Sequence, residues 1–356
     1  MTIPIIDGHN DLLLRLMTDP AGREAIWSGQ AGGGHLDLPR MRKGHFAGGF
    51  FAIYIPVRPD SDAPGLAAMN EMMAHPPYAL PLPPALSLAE AQPVALLQAG
   101  HLLGLERLTP DDFRICRTVA EIEHCLARGI IFAVMHMEGA EAIDPDLDAL
   151  HVFHAMGLRS LGPVWSRPTA FGHGVPFRYP SSPDTGPGLT EAGTRLVREC
   201  NRLRIMIDLS HMNAKGVEDV AAISDAPLVA THSNAHAICP SARNLTDRQL
   251  AMIRDSGGMV GLNFATAFLR PDGRRDPDFG HDVMLRHLDH LIAHLGEDHV
   301  GFGSDFDGAE IPAPIGDVTG LPAFQEALRA HGYDDALLRK LCHENWIGVL
   351  RRTWGA

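Results

Sequence analysis

Eight short apolar runs recur along this chain, separated by stretches whose apolar residues repeat with a helical period. We place strands at residues 3–7, 49–55, 130–136, 158–161, 205–209, 228–231, 259–263 and 300–304. Several of these runs lack polar alternation, the pattern of strands buried on both faces, as in a parallel sheet covered by helices. Helices are predicted over residues 111–128, 191–203, 246–255 and 282–295. The last carries Val283, Leu285, Leu288, Leu291, Ile292 and Leu295 on one stripe. Thr246, and Asp111 after Pro110, read as helix starts. Eight strands alternating with helices over 356 residues predict an α/β fold of the (β/α)8, TIM-type barrel, as a single domain over residues 1–356. An open doubly wound sheet that binds a dinucleotide would carry Gly-x-Gly-x-x-Gly after its first strand, and that motif is missing. Residues 56–84 and 166–188, rich in Pro and in Gly and Pro respectively, are too long for connecting turns and read as lids or binding loops.

Charge narrows the partners. Lys and Arg number 30 against 43 Asp and Glu, a net charge of −13, which argues against nucleic-acid binding. No apolar run approaches the roughly 18 residues of a membrane span. No basic segment followed by an apolar core and cleavage site opens the sequence, so no signal peptide is expected. The five cysteines are widely spaced without Cys-x-x-Cys, which predicts a reducing, cytoplasmic setting rather than disulfides or a thiolate metal site. The expected partner is a small molecule, and a homodimer is compatible with everything above.

The chain also holds 20 histidines, and several fall with carboxylates at predicted strand ends. The first strand leads into Asp7-Gly8-His9-Asn10-Asp11, the third into His136-Met137-Glu138, the fifth into Asp208-Leu209-Ser210-His211, the sixth into Thr231-His232-Ser233 and the eighth into Ser304-Asp305-Phe306-Asp307. In a barrel these ends converge on one mouth, where such folds place their chemistry. Three His, one Asp and one Glu, without Cys, suit Zn²⁺ or a similar borderline divalent ion. His-x-Asp alone is weak evidence, because it occurs three times. His9/Asp11 follows a buried strand, and a period of two puts both side chains on one side. His35/Asp37 lies in a loop, and His287/Asp289 lies in an amphipathic helix and reads as solvated surface. His136 reads as a core or supporting histidine, Asp208 as strand-end support, Asp307 as turn-shaping and His236 as loop structure, while His173 reads as a possible substrate contact.

Taken together, Asp7-Gly8-His9-Asn10-Asp11, Gly34-His35-Leu36-Asp37-Leu38-Pro39-Arg40, Met137-Glu138-Gly139, Ser210-His211, Thr231-His232-Ser233, Ser241-Ala242-Arg243-Asn244 and Gly303-Ser304-Asp305-Phe306-Asp307-Gly308 resemble the membrane (renal-type) dipeptidases, peptidase family M19 of the amidohydrolase superfamily. The resemblance implies a hydrolase with a binuclear zinc site that cuts dipeptides and accepts a D-residue on the carboxyl side. It implies that His9, Asp11 and Glu138 hold one Zn²⁺, that Glu138, His211 and His232 hold the other, that Asp305 carries the proton and that Arg243 meets the substrate carboxylate. Two such ions would acidify a bridging water and polarise the scissile carbonyl. An Arg fork suits a free carboxylate, although Arg243 could instead bind a helix-start carboxylate such as Asp247. The alternative activity is hydrolysis of another small amide or lactam. The sequence departs from the renal type at two places: Trp165 stands where those enzymes carry a histidine, and Ala265 where they carry a tyrosine. Trp165 is therefore expected at the substrate pocket.

Overall fold

Each of the eight predicted runs forms a strand in the computed structural model, which describes residues 2–57 and 65–355. We number them β1 (Ile5–Asn10), β2 (Phe46–Tyr54), β3 (Ile131–Glu138), β4 (Leu158–Gly162), β5 (Met206–Ile207), β6 (Val229–Ala230), β7 (Met259–Asn263) and β8 (Val300–Gly303). Their neighbours run β5-β4-β3-β2-β1-β8-β7-β6, all parallel. The ends of that path meet through a bridge between Asp208 and Val229 and a bond from Leu209 N to Val229 O of 2.8 Å. Eight parallel strands thus form a nearly closed barrel with helices outside, the TIM-type architecture expected from the alternation.

The helices begin where the chain offers caps. Thr246 accepts from Gln249 N and caps Asp247–Asp255; Thr190 caps Glu191–Leu203 in the same way. The helix predicted over 111–128 is shorter than expected. Thr118 and Glu121 form a capping box that starts it at Val119, and Phe113–Ile115 is instead a strand on the first half of β3, Phe113 opposite Ile131. The long helix Leu88–Leu108 escaped prediction. It is rich in Leu and Ala on several sides, with Leu96 and Leu97 half exposed, so no apolar stripe marks it.

The two long insertions meet. Tyr78–Ala79 from the first pairs antiparallel with Arg178–Tyr179 from the second. The first insertion also contains the helix Leu66–Ala74, while its residues 58–64 lie outside the described residues.

Below the mouth the barrel is filled by Ile6, Phe50, Phe132, Val134, Met206 and Met259, and Trp346 of the helix Asn345–Trp354 packs among them. Above that layer the interior narrows around backbone. A Cβ added at Gly8, Gly261 or Gly303 would collide with the Thr231 carbonyl oxygen. Three strands therefore give up side chains at one level, and the Thr231–His232 segment comes in against them.

Candidate metal centre and active-site cavity

The last turns of these strands carry the predicted site residues into one buried cluster. The four residues Asp7 to Asn10 of β1 lie opposite only three on β2, Gly49 to Phe51. This bulge re-aims the strand end, and His9 turns to stack on His232 with ring centroids 3.8 Å apart. Asp11 follows on the same side, its Oδ2 3.3 Å from His9 Nε2. Glu138 ends β3, and its Oε1 lies 3.6 Å from His9 Nε2, 3.0 Å from His211 Nε2 and 3.3 Å from His232 Nε2. The Nε2 atoms of His211 and His232 are 3.2 Å apart. All five residues are at least 95% buried.

Supporting groups hold the ring nitrogens of His211 and His232 that face away from Glu138. Asp208 accepts from the Thr231 hydroxyl at 2.6 Å, so that hydroxyl accepts in turn from His232 Nδ1 at 2.8 Å. Ser166 Oγ lies 2.9 Å from His211 Nδ1. The Thr231 hydroxyl thus accepts from His232 Nδ1–H and leaves the Nε2 lone pair pointing at Glu138, the usual way a ligating imidazole is oriented, and Ser166 holds the same nitrogen of His211. His136 is buried and bonded to Ser160 Oγ at 2.9 Å, with Asp208 3.5 Å from its other nitrogen, which fits the supporting role read for both residues. Ser166, Thr231 and Asn263 were not singled out as functional from the sequence. The signal was present, since each is a polar residue at a strand end, but none is a usual metal ligand or acid.

The electrostatics ask for a cation. Burial opposes charge on His9, yet Glu138, Asp11 and Asp305 outweigh it and push its imidazole up to about 10. Burial, with Arg243 and His9 adding to it, holds His211 and His232 well below the ordinary histidine value. Burial, reinforced by Asp11 and Asp305, pushes Glu138 well above the ordinary carboxylate range. Three carboxylates beside the neutral imidazoles of His211 and His232, out of water, call for more positive charge than His9 alone carries. Both ring nitrogens of His9 and Oδ1 of Asp11 have no hydrogen-bond partner. Separations of 3.0–3.6 Å between donor atoms match the edge of a tetrahedron with metal–ligand bonds of about 2.0–2.1 Å, roughly 3.3 Å. The residues present fit a divalent metal, and two overlapping groups satisfy the spacing: His9, Glu138, His232, and His9, Asp11, Asp305.

Asp305 stands beside this cluster. Its backbone is left-handed (φ 61°), its N–H donates to His9 O at 3.0 Å, and its Oδ2 accepts from Asn263 Nδ2 at 3.0 Å. Burial, then Asp11, pushes its carboxyl up. Asp307 shapes the turn: its carboxylate accepts from His35 N at 2.5 Å, and its own N–H donates to His35 Nδ1 at 2.8 Å.

A cavity of about 740 Å³ opens onto Asp11, Glu138, His211 and Asp305. Trp165 and Ala265, the two departures from the renal pattern, both line it. Trp165 packs 5.0 Å from Tyr54 and 5.5 Å from Phe177, ring centre to ring centre, and the Arg167 guanidinium lies 5.4 Å from its ring. Arg243 lies behind the wall instead. It donates to Ser233 Oγ and to His232 O, each at 2.9 Å, and sits 5.9 Å from the ring of Phe268, which does line the cavity. Its alternative partner Asp247 is bonded to His290. His236 bonds Ser181 O, as loop structure, and His173 is not among the residues that line the cavity. One reading is corrected. His287 is fully buried, not solvated: its Nδ1 accepts from Ala235 N at 3.2 Å, and its Nε2 meets Leu269 O at 2.8 Å.

The chain is similar to known proteins along nearly its whole length. The sequence pattern of the membrane dipeptidase family, peptidase family M19, matches residues 1–354. A metallopeptidase from Rhodobacter sphaeroides, solved with a phosphinate mimic of the dipeptide L-Ala-D-Ala, is 68% identical, with a TM-score of 0.97 over 99% of this chain and 100% of that one. A structure described as dipeptidase AC, a metallopeptidase of family M19, is also 68% identical, with a TM-score of 0.96 and full coverage of both chains. An uncharacterized protein from the pqqA 5′ region of Klebsiella pneumoniae is 52% identical over 241 residues, 68% of this chain and 89% of that protein.

Proposed function

Since the chain belongs to the membrane dipeptidase family, peptidase family M19, we propose that it hydrolyses the peptide bond of free dipeptides, including those with a D-residue on the carboxyl side. It is a metallopeptidase of the dipeptidase type. The observation that carries the reading is Glu138 Oε1 within 3.6 Å of imidazole nitrogens from three other strand ends, beside a cavity with Asp305 on its wall. We assign His9, Asp11 and Glu138 to one Zn²⁺ and Glu138, His211 and His232 to a second, because a carboxylate has two oxygens to share. When bound, such ions supply Lewis acidity, which lowers the pKa of water and polarises a carbonyl.

The chain's own groups do the rest. Asp305, held by Asn263, takes the proton of the attacking water and returns it to the leaving amine. Arg243 supplies positive charge toward the terminal carboxylate of the dipeptide, which selects free dipeptides over longer chains. Trp165 offers an apolar wall in place of an imidazole, with a single N–H donor and no titration in the working range. The whole chain acts as one catalytic domain. Five free and buried cysteines support the cytoplasmic setting, and no helix among the described residues is long and apolar enough to cross a membrane.

The test is a panel of L-X-D-X and L-X-L-X dipeptides and their amides, with metal analysis of the same sample. Amino-acid release from free dipeptides, slow or absent release from the amides, and two zinc ions per chain are expected. A preparation with metal that cleaves no dipeptide but opens a small amide or lactam would move the assignment to that substrate class.

A further inference from the structure

Outside the barrel mouth, the described residues contain one more group with metal-ligand spacing: Asp247, His290 and His294. Asp247 is the first residue of the helix Asp247–Asp255, which leads into β7. His290 and His294 are one turn apart on the helix His281–Leu295, which follows β7. Residues four apart share a helix face. Two histidines at that spacing can hold one ion, as in the His-Glu-x-x-His arrangement of zinc enzymes. Here the third group comes from the neighbouring helix.

The geometry is close to assembled. Asp247 Oδ1 lies 2.7 Å from His290 Nε2 and 3.9 Å from His294 Nε2. These distances bracket the ligand–ligand edge of about 3.3 Å expected for tetrahedral zinc. The two imidazoles stack, with centroids 4.2 Å apart and planes 25° apart. Among the described residues Asp247 has no Lys or Arg partner: its neighbour Arg248 pairs with Glu218, and Arg254 pairs with Asp255. The side chains are part exposed, 51% for Asp247, 19% for His290 and 37% for His294, so water can complete a coordination shell without a large desolvation penalty.

The same helix supplies a contrast. Asp289 Oδ1 accepts from Tyr333 and Oδ2 lies 2.9 Å from His331 Nε2, a hydrogen-bonded pair with a single imidazole. It lacks the second nitrogen ligand that a cation would need to displace the proton between its partners.

We propose that Asp247, His290 and His294 form a divalent-cation site on the outer surface, distinct from the catalytic centre, that ties together the two helices flanking β7. Two imidazoles and one carboxylate favour Zn²⁺, Ni²⁺ or Cu²⁺ over Mg²⁺ or Ca²⁺, which take mostly oxygen ligands. An ion bound there to the folded state alone raises thermal stability by mass action.

The experiment uses untagged enzyme with its catalytic metals already loaded. Zn²⁺ is titrated by calorimetry, and Co²⁺ by visible absorption. One further equivalent per chain is expected, together with a rise in Tm on adding Zn²⁺. The His290→Ala/His294→Ala variant should lose both while keeping the wild-type hydrolysis rate. The single variant His294→Gln should weaken them, and His331→Ala should retain them. No further equivalent in the wild type, or one that survives in the double variant, overturns the proposal.

Discussion

His9-Asn10-Asp11 and His35-Leu36-Asp37 share residue types and spacing, and both lie near the mouth of the barrel, yet the fold treats them in opposite ways. At the first pair the polar atoms are left over. Both nitrogens of His9 and one oxygen of Asp11 are buried without hydrogen-bond partners, facing Glu138. At the second pair the atoms are occupied. Asp37 Oδ1 accepts from Arg40 N at 2.8 Å and Oδ2 from Arg40 Nε at 2.6 Å, capping the helix Leu38–Lys43. His35 Nδ1 accepts from Asp307 N. Native interiors rarely leave polar groups unpaired, so unpaired atoms converging from several strands mark a place built for something else to bind. Paired atoms of the same chemistry mark architecture. The distinction is invisible to spacing and needs only the hydrogen-bond partners.

The largest effect should come from breaking the first arrangement at its shared atom. Glu138→Gln keeps the shape and removes the charge on which His9, His211 and His232 converge. We expect hydrolysis to fall to background and at least one metal per chain to be lost, read by metal analysis of the purified variant. A fully metallated and active Glu138→Gln would falsify the bridging role.

Asp305 tests a different kind of dependence, since its role is proton transfer. Asp305→Asn should fold, keep its metals and lose about 10²–10⁴ in kcat, the range for a missing general acid or base. Asp307 supplies the internal control, because its carboxylate is engaged by His35. If Asp307→Asn shows the kcat loss and Asp305→Asn does not, the proton carrier is the other aspartate.

These contrasts also separate what could be read from the chain and what could not. All eight barrel strands were legible, because strands such as β3 bury every residue and read as apolar runs. The ligand-type residues were legible because they follow those runs. Besides the unstriped helix Leu88–Leu108, three things were not. Phe113–Ile115 was read through as helix, since its edge pairing on β3 depends on a strand nearly twenty residues away. The Asp208–Thr231–His232 chain joins residues brought together by the β5–β6 closure. His287 was misread because Asp289 does face solvent, while the histidine two residues before it, on the opposite side of the helix, points into the contact with Leu269 and Ala235.

That third His-x-Asp gives a prediction in stability. Burial holds the His287 imidazole down at about 4, against an ordinary 6.5. Above pH 6.5 both folded and unfolded states are neutral there, and the group contributes no pH dependence. Between pH 6.5 and 4 the unfolded chain takes up a proton that the folded one refuses, so stability falls as pH falls. The full drop is about 3 kcal/mol. It should appear in wild-type denaturant curves over that window and be missing from His287→Gln. Parallel pH profiles for the two proteins would show that the buried imidazole titrates normally.

The smallest effect is expected at His35-Leu36-Asp37, and it is the one that most sharpens the contrast with His9-Asn10-Asp11. Asp37→Ala removes a helix cap, a loss of about 0.5–2 kcal/mol. It also releases one hold on Arg40, but that guanidinium keeps Asp317 at 2.9 Å and the Gly33 and Gly34 carbonyls, so the segment has other restraints. The change should appear as a lower denaturation midpoint with unchanged slope. Metal content and kcat should stay at wild-type values, because no atom of Asp37 reaches the cluster around Glu138. His9→Ala, measured beside it, should lose metal and activity. Should Asp37→Ala instead lose metal in step with His9→Ala, the two pairs would belong to one site, and satisfied hydrogen bonds would no longer separate architecture from chemistry in this barrel.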